Sequence, residues 1–148
     1  MEIEQTQTLN PMQAKVMQWF QDLQQLLEND PKFKECKDKP VVFISSGGTS
    51  VPLEQNTVRS IENFSTGIRG SRSAEYFLRR GHPVIFFHRG TSIKPFAIEF
   101  SNVQQWASAF ELSGSNQEFQ SQVRLWKSFY DKSSPYSKML LMMEFTSI

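Results

Sequence analysis

Cys36 is the only cysteine in this chain. That excludes a disulfide within the chain and a zinc site built on cysteines. Cys36 lies in the charged stretch KFKECKDK, and neither His82 nor His88 is near it in sequence. With no base beside it, it reads as an incidental thiol rather than a nucleophile. One unpaired thiol fits a reducing compartment, the cytoplasm. No apolar run approaches the ~20 residues that cross a bilayer. The start, MEIEQTQTLN, is polar and partly acidic, unlike a signal peptide or an arginine-rich transit peptide. Charge excess is missing too: 16 basic against 15 acidic residues give a formal net charge of +1. Nucleic acid and anionic membrane surfaces are therefore excluded as expected partners. The sequence has no cluster with metal-ligand spacing, so no residue is assigned to a metal. It has no GxxxxGK[ST] and no GxGxxG after a strand, which removes the P-loop and the tight dinucleotide turn.

What is present is patterned. The length, 148 residues, is that of one domain. Residues 11–28 read as an amphipathic helix, capped by Asn10, with Pro11 in its first turn. Its stripe of Met12, Val16, Trp19, Phe20, Leu23, Leu26 and Leu27 is a packing face. The run Val41–Ile44 ends at glycines and fits a strand buried on both faces of a parallel sheet. A helix of about 12 residues is predicted within residues 65–82, with Ala74, Phe77 and Leu78 inward and Gly81 as its C-terminal cap. PVIFFHRG is a second strand, and SKMLLMMEFTSI a third. Between them, 91–100 reads as loop with a short extended piece and 101–114 as a short helix. A further helix follows within 115–133, on Phe119, Val123, Trp126, Phe129 and Tyr130. Strand, loop, helix, strand is the opening of an α/β nucleotide fold.

Two glycine clusters punctuate that opening: SSGGTS at 45–50 and NFSTGIRG at 63–70. Gly47, Gly48 and Thr49 follow the first strand at its C-terminal end, where α/β sheets bind ligands. Gly67 and Gly70 stand where the next helix starts, and free N–H groups at a helix start bind anions. Ser65 and Thr66 are placed to cap that helix or to donate hydroxyls. Phe64 reads as a packing residue that holds the loop down, and Glu54 and Arg59 as a structural ion pair. Arg89, at the end of the second strand, leaves room for a 2′-phosphate. The residues alone thus point to a phosphate cradle. Three users of it stay open: a ligase, a non-catalytic nucleotide-binding or dimerisation module, and an NADP- or flavin-binding reductase domain.

The stretch from SSGGTS through VPLE, VR and NFSTGIRG to HRGTSIKPF closely resembles phosphopantothenoylcysteine synthetase, the phosphopantothenate–cysteine ligase of coenzyme A biosynthesis, in its monofunctional eukaryotic form. The resemblance implies a Rossmann-like, three-layer α/β fold with a mostly parallel sheet, acting as a homodimer. It implies activation of the 4′-phosphopantothenate carboxylate by a nucleoside triphosphate with Mg²⁺, ATP in eukaryotic members and CTP in bacterial ones. An acyl-nucleotide forms, and the amine of L-cysteine displaces the nucleotide. By position Gly47, Ser65, Gly67 and Gly70 match nucleotide-contacting residues of the family. Asn63 matches its asparagine at the phosphopantothenate and acyl intermediate, where an amide donor stabilises a developing oxyanion without titrating. The family's Ala-Ala-x-x-Asp segment and lysine-bearing loop have no counterpart here. The chain is therefore expected to be the first half of such an enzyme, truncated. Residues 1–40 would form a helical extension and 41–148 an incomplete nucleotide-binding domain.

Overall fold

In the computed structural model, residues 8–56, 58–98 and 117–146 are described. The short helix expected within 101–114 lies outside them, as does the side chain of Phe119.

Helix α1 (Pro11–Asn29) starts as its sequence dictates. The Asn10 side chain accepts from the Gln13 N–H, and the Gln13 side chain accepts from the Asn10 N–H, a reciprocal capping box with Pro11 at the first position. It ends at Asp30, whose carboxylate caps a 3₁₀ turn over Pro31–Cys36. Strands β1 (Val42–Ser46), β4 (Val84–Arg89) and β5 (Leu140–Phe145) form one sheet in the order β1-β4-β5, every pair parallel. Helix α2 (Ile68–Arg79) joins β1 to β4, and α3 (Gln117–Tyr130) precedes β5. Gly81 takes φ +79°, and its N–H and that of His82 close the last turn of α2 on Leu78 and Phe77.

Two short strands escaped the sequence reading. β2 (Ser50–Pro52) and β3 (Ser60–Glu62) pair antiparallel as a separate ribbon between the two glycine clusters. Three residues per strand is too short a period-2 pattern to recognise, and Pro52 argues against a strand.

The register sorts the sheet into two faces. Ile44, Ser46, Val84, Phe86 and His88 share one face, and α2 packs on it through Ala74 and Leu78. The other face carries Phe43, Ile85, Phe87 and Met143, and α1 crosses it to make the third layer. Trp19, Leu23 and Leu26 of α1 belong to the same buried cluster as the strands, and the Trp19 indole N–H donates to the Lys138 carbonyl at 2.9 Å. Burying side chains of this size contributes ~1.5–3 kcal/mol each. The architecture is Rossmann-like α/β, with the C-terminal strand ends, the glycine loops and the ribbon gathered at one edge.

Candidate functional site

Four pieces of chain meet at that edge: the 46–49 loop after β1, the end of β3 at Asn63, the start of α2, and the 89–96 loop after β4. The glycines make the meeting possible. A β-carbon on Gly48 would stand 1.7 Å from the Asn63 carbonyl oxygen, and one on Gly70 would stand 2.3 Å from the Ser46 hydroxyl. A β-carbon on Gly47 would lie 2.2 Å from the Ser92 hydroxyl, and one on Gly67 2.9 Å from the Ser92 β-carbon. Gly47 and Gly67 also hold φ of +111° and +81°, which glycine adopts without steric cost. The missing β-carbons are thus taken up by loop against loop. Exposed side chains there, Phe64, Ile68 and Arg69 among them, belong to the stretch whose backbone starts α2.

That backbone is suited to an anion. Gly67 is the N-cap of α2, in the left-handed region and with no side-chain cap. The first intrahelical bond runs from the Ser71 N–H to the Gly67 carbonyl. The N–H groups of Ile68, Arg69 and Gly70 therefore have no intrahelical acceptor. The capping expected of Ser65 and Thr66 is corrected. Ser65 Oγ accepts from the Gly67 N–H at 3.4 Å, and the Thr66 carbonyl accepts from Ile93. A glycine with positive φ at the N-cap turns both side chains away from the first turn. The Ser46 hydroxyl donates to the Gly67 carbonyl at 3.1 Å and ties β1 to the start of the helix.

Asn63 is exposed, and its backbone is held on both sides. Its N–H donates to the Thr49 carbonyl at 2.9 Å, and its carbonyl accepts from Ser65 at 3.0 Å. Its neighbour corrects another expectation: Phe64 is 90% exposed and packs on nothing in the core. Those backbone bonds, with Ile93 N–H to Thr66, hold the loop down instead. Glu54 and Arg59 do pair, at 2.5 Å. Arg89, open in the sequence to a 2′-phosphate, is committed to Glu62 at 2.5 Å.

The 89–96 loop is fixed from below by a residue that the sequence reading passed over. Glu75, on the inner face of α2, is almost fully buried. Its carboxylate accepts from the Phe96 N–H at 2.8 Å and from Arg72 at 2.9 Å. Phe96 is buried at φ +62°, a strained conformation for a large side chain. Its ring stacks on Phe129 at 4.9 Å, and the Tyr130 hydroxyl donates to the Pro95 carbonyl at 2.9 Å. Ser71 Oγ donates to the Lys94 carbonyl. An acid on the apolar side of a helix was the available signal for Glu75.

Cys36 lies at the opposite end of α2, its sulfur 2.7 Å from where a β-carbon on Gly81 would be. Burial, with Glu35 adding to it and Lys39 opposing, holds its thiol above the ordinary value. Among the described residues no three His, Cys, Asp or Glu side chains gather as a metal site. No described helix is long and apolar enough to cross a membrane.

No family model matches the chain. Individual proteins do. Phosphopantothenate–cysteine ligase CAB2 of Saccharomyces cerevisiae is 37% identical over 150 aligned residues, 99% of this chain and 40% of its own length. The human phosphopantothenate–cysteine ligase is 50% identical over 79 residues, 53% of this chain and 25% of its own length. Among solved structures, a Cab2 mutant in complex with phosphopantothenate-cysteine superposes with a TM-score of 0.54 at 35% identity, covering 93% of this chain and 45% of that one. A second Cab2 mutant structure gives 0.55 at 35% identity, over 97% of this chain and 47% of that one. The chain thus spans less than half the length of the relatives it matches. By sequence along nearly its whole length, and by fold, it is related to the phosphopantothenate–cysteine ligases and corresponds to part of such a protein.

Proposed function

We propose that this chain carries the nucleotide-binding part of a phosphopantothenate–cysteine ligase. The observation that carries the reading is the uncapped start of α2, with three free N–H groups, beside an exposed Asn63 whose backbone is pinned at both ends. In the ligation the 4′-phosphopantothenate carboxylate attacks the α-phosphorus of Mg²⁺-ATP, or of CTP, and pyrophosphate leaves. The amine of L-cysteine then attacks the acyl carbon, loses a proton, and expels the nucleoside monophosphate as the amide forms. Gly47, Gly67 and Gly70 would let the nucleotide reach backbone donors, and Ser65 would add a hydroxyl. Asn63 would donate from its amide to the acyl oxygen as charge develops there. Mg²⁺ enters with the nucleotide as part of the substrate.

Residues 1–40 would serve as an extension packed on the nucleotide-binding domain of 41–148. The working form would be a cytoplasmic homodimer. The ribbon supports a second copy as partner: Val51, Leu53, Val58 and Ile61 on and around it are 55–80% exposed.

Split complementation tests the reading. The chain is mixed with a polypeptide holding the remaining C-terminal part of the yeast relative, 4′-phosphopantothenate, L-cysteine and Mg²⁺-ATP. Amide product that requires all components supports the ligase. NADP or flavin binding in place of the nucleoside triphosphate overturns it.

A further inference from the structure

We propose that the Glu62–Arg89 ion pair is a latch that seats the β2–β3 ribbon, and Asn63 with it, on the C-terminal edge of the parallel sheet. Glu62 is the last residue of β3 and Arg89 the last of β4. One Arg89 nitrogen, Nη1, lies 2.5 Å from Glu62 Oε1, and the two side chains are 22% and 34% exposed. A pair this sheltered is less screened than a surface pair, and a guanidinium keeps its charge at every working pH.

The ribbon needs such a tie. Its strands are three residues each, and an isolated two-stranded ribbon is marginal in water. Its apolar side chains face solvent and not the core, so no buried cluster anchors it. The backbone bond from the Asn63 N–H to Thr49 closes the ribbon on itself. Among the described residues, two contacts tie it to the rest of the fold: Gly48 against Asn63 and Glu62 on Arg89. Arg89 is also well placed to relay position, since its β-carbon would lie 3.0 Å from one on Gly47. One arginine thus touches the first glycine loop and, through Glu62, fixes the residue next to Asn63. Glu62 and Arg89 are positioning residues. Their part in catalysis rests on the role proposed for Asn63, but the latch itself does not.

Amide hydrogen exchange on the whole chain tests the latch. Glu62→Gln and Arg89→Gln should each speed exchange at the Leu53 and Asn63 amides by about tenfold or more, as loss of a charge-assisted bond implies. The double variant should exchange no faster than either single one. Ile44 and Phe86, in the parallel sheet, should be unchanged. Unchanged ribbon amides, additive effects, or a uniform rise across the chain would overturn the latch. In the complementation assay the variants should lower kcat while leaving the KM for nucleotide in place. Faster ribbon exchange in a mixture that never ligates would sink the ligase reading and leave the latch standing.

Discussion

The carbonyl oxygen of Asn63 occupies the place where a β-carbon on Gly48 would stand, 1.7 Å away. The first glycine loop is therefore shaped by the second, and the residue proposed for catalysis is seated by a glycine outside the set matched to the family. The same holds between Gly70 and Ser46, whose hydroxyl and β-carbon lie 2.3 and 2.5 Å from the position of an added methyl.

Gly48→Ala should accordingly cost ~1–3 kcal/mol or more in urea unfolding, because a backbone oxygen cannot rotate away as a side chain can. Gly70→Ala should cost a similar amount. Ser46→Gly introduced beside it should restore part of the loss, since it removes the two nearest atoms, the Ser46 hydroxyl and β-carbon. The two substitutions are expected to couple in a double-mutant cycle, and strict additivity would contradict the packing described.

Glu75 holds the strained Phe96 N–H from the interior of α2. Glu75→Ala should destabilise the fold by about 2–3 kcal/mol, the range for losing a buried charged acceptor. Glu75→Gln keeps an oxygen for Phe96 and should cost less. Equal losses in the two variants would show that the carbonyl-type acceptor is not what matters there.

Tyr130 gives a prediction in alkali. Burial first, and then the charge of Glu75, hold its phenol well above the ordinary value of 10.0. Its folded pKa is raised, so its contribution is complete below the unfolded value and is lost as pH climbs toward the folded one. Wild-type stability should fall above about pH 10, and Tyr130→Phe should flatten that decline while losing the hydrogen bond to Pro95. Unfolding midpoints from pH 8 to 11 measure both.

The raised thiol of Cys36 predicts slow chemistry. At pH 8 alkylation by iodoacetamide should run several-fold slower in folded protein than in urea, and the gap should narrow as pH rises. Reaction at the rate of free cysteine would contradict its shielding.

Much of this was legible in the sequence. The capping residue Asn10, the apolar runs of β1 and β4 and the glycine at 81 each have one strong local cause, and each lies where expected. Burial of β1 on both faces is corrected, because β1 is the edge strand and Phe43 is 62% exposed. NFSTGIRG and SGGT carried the family, which the yeast relative bears out. Long-range geometry was less legible. The ribbon is too short to show a period, Phe64 looks like an anchor until nothing is found beneath it, and Arg89 looks free until Glu62 is brought beside it. Glu75 differs from any surface glutamate only by which helix face it occupies.

The most direct measurement is a titration of Mg²⁺-ATP into ¹⁵N-labelled protein, followed amide by amide. The account predicts shifts centred on Gly47, Gly48, Ser65, Gly67, Ile68, Arg69 and Gly70, with none there from NADP at equal concentration. Absence of shifts at the start of α2, or the same shifts from NADP, would contradict it.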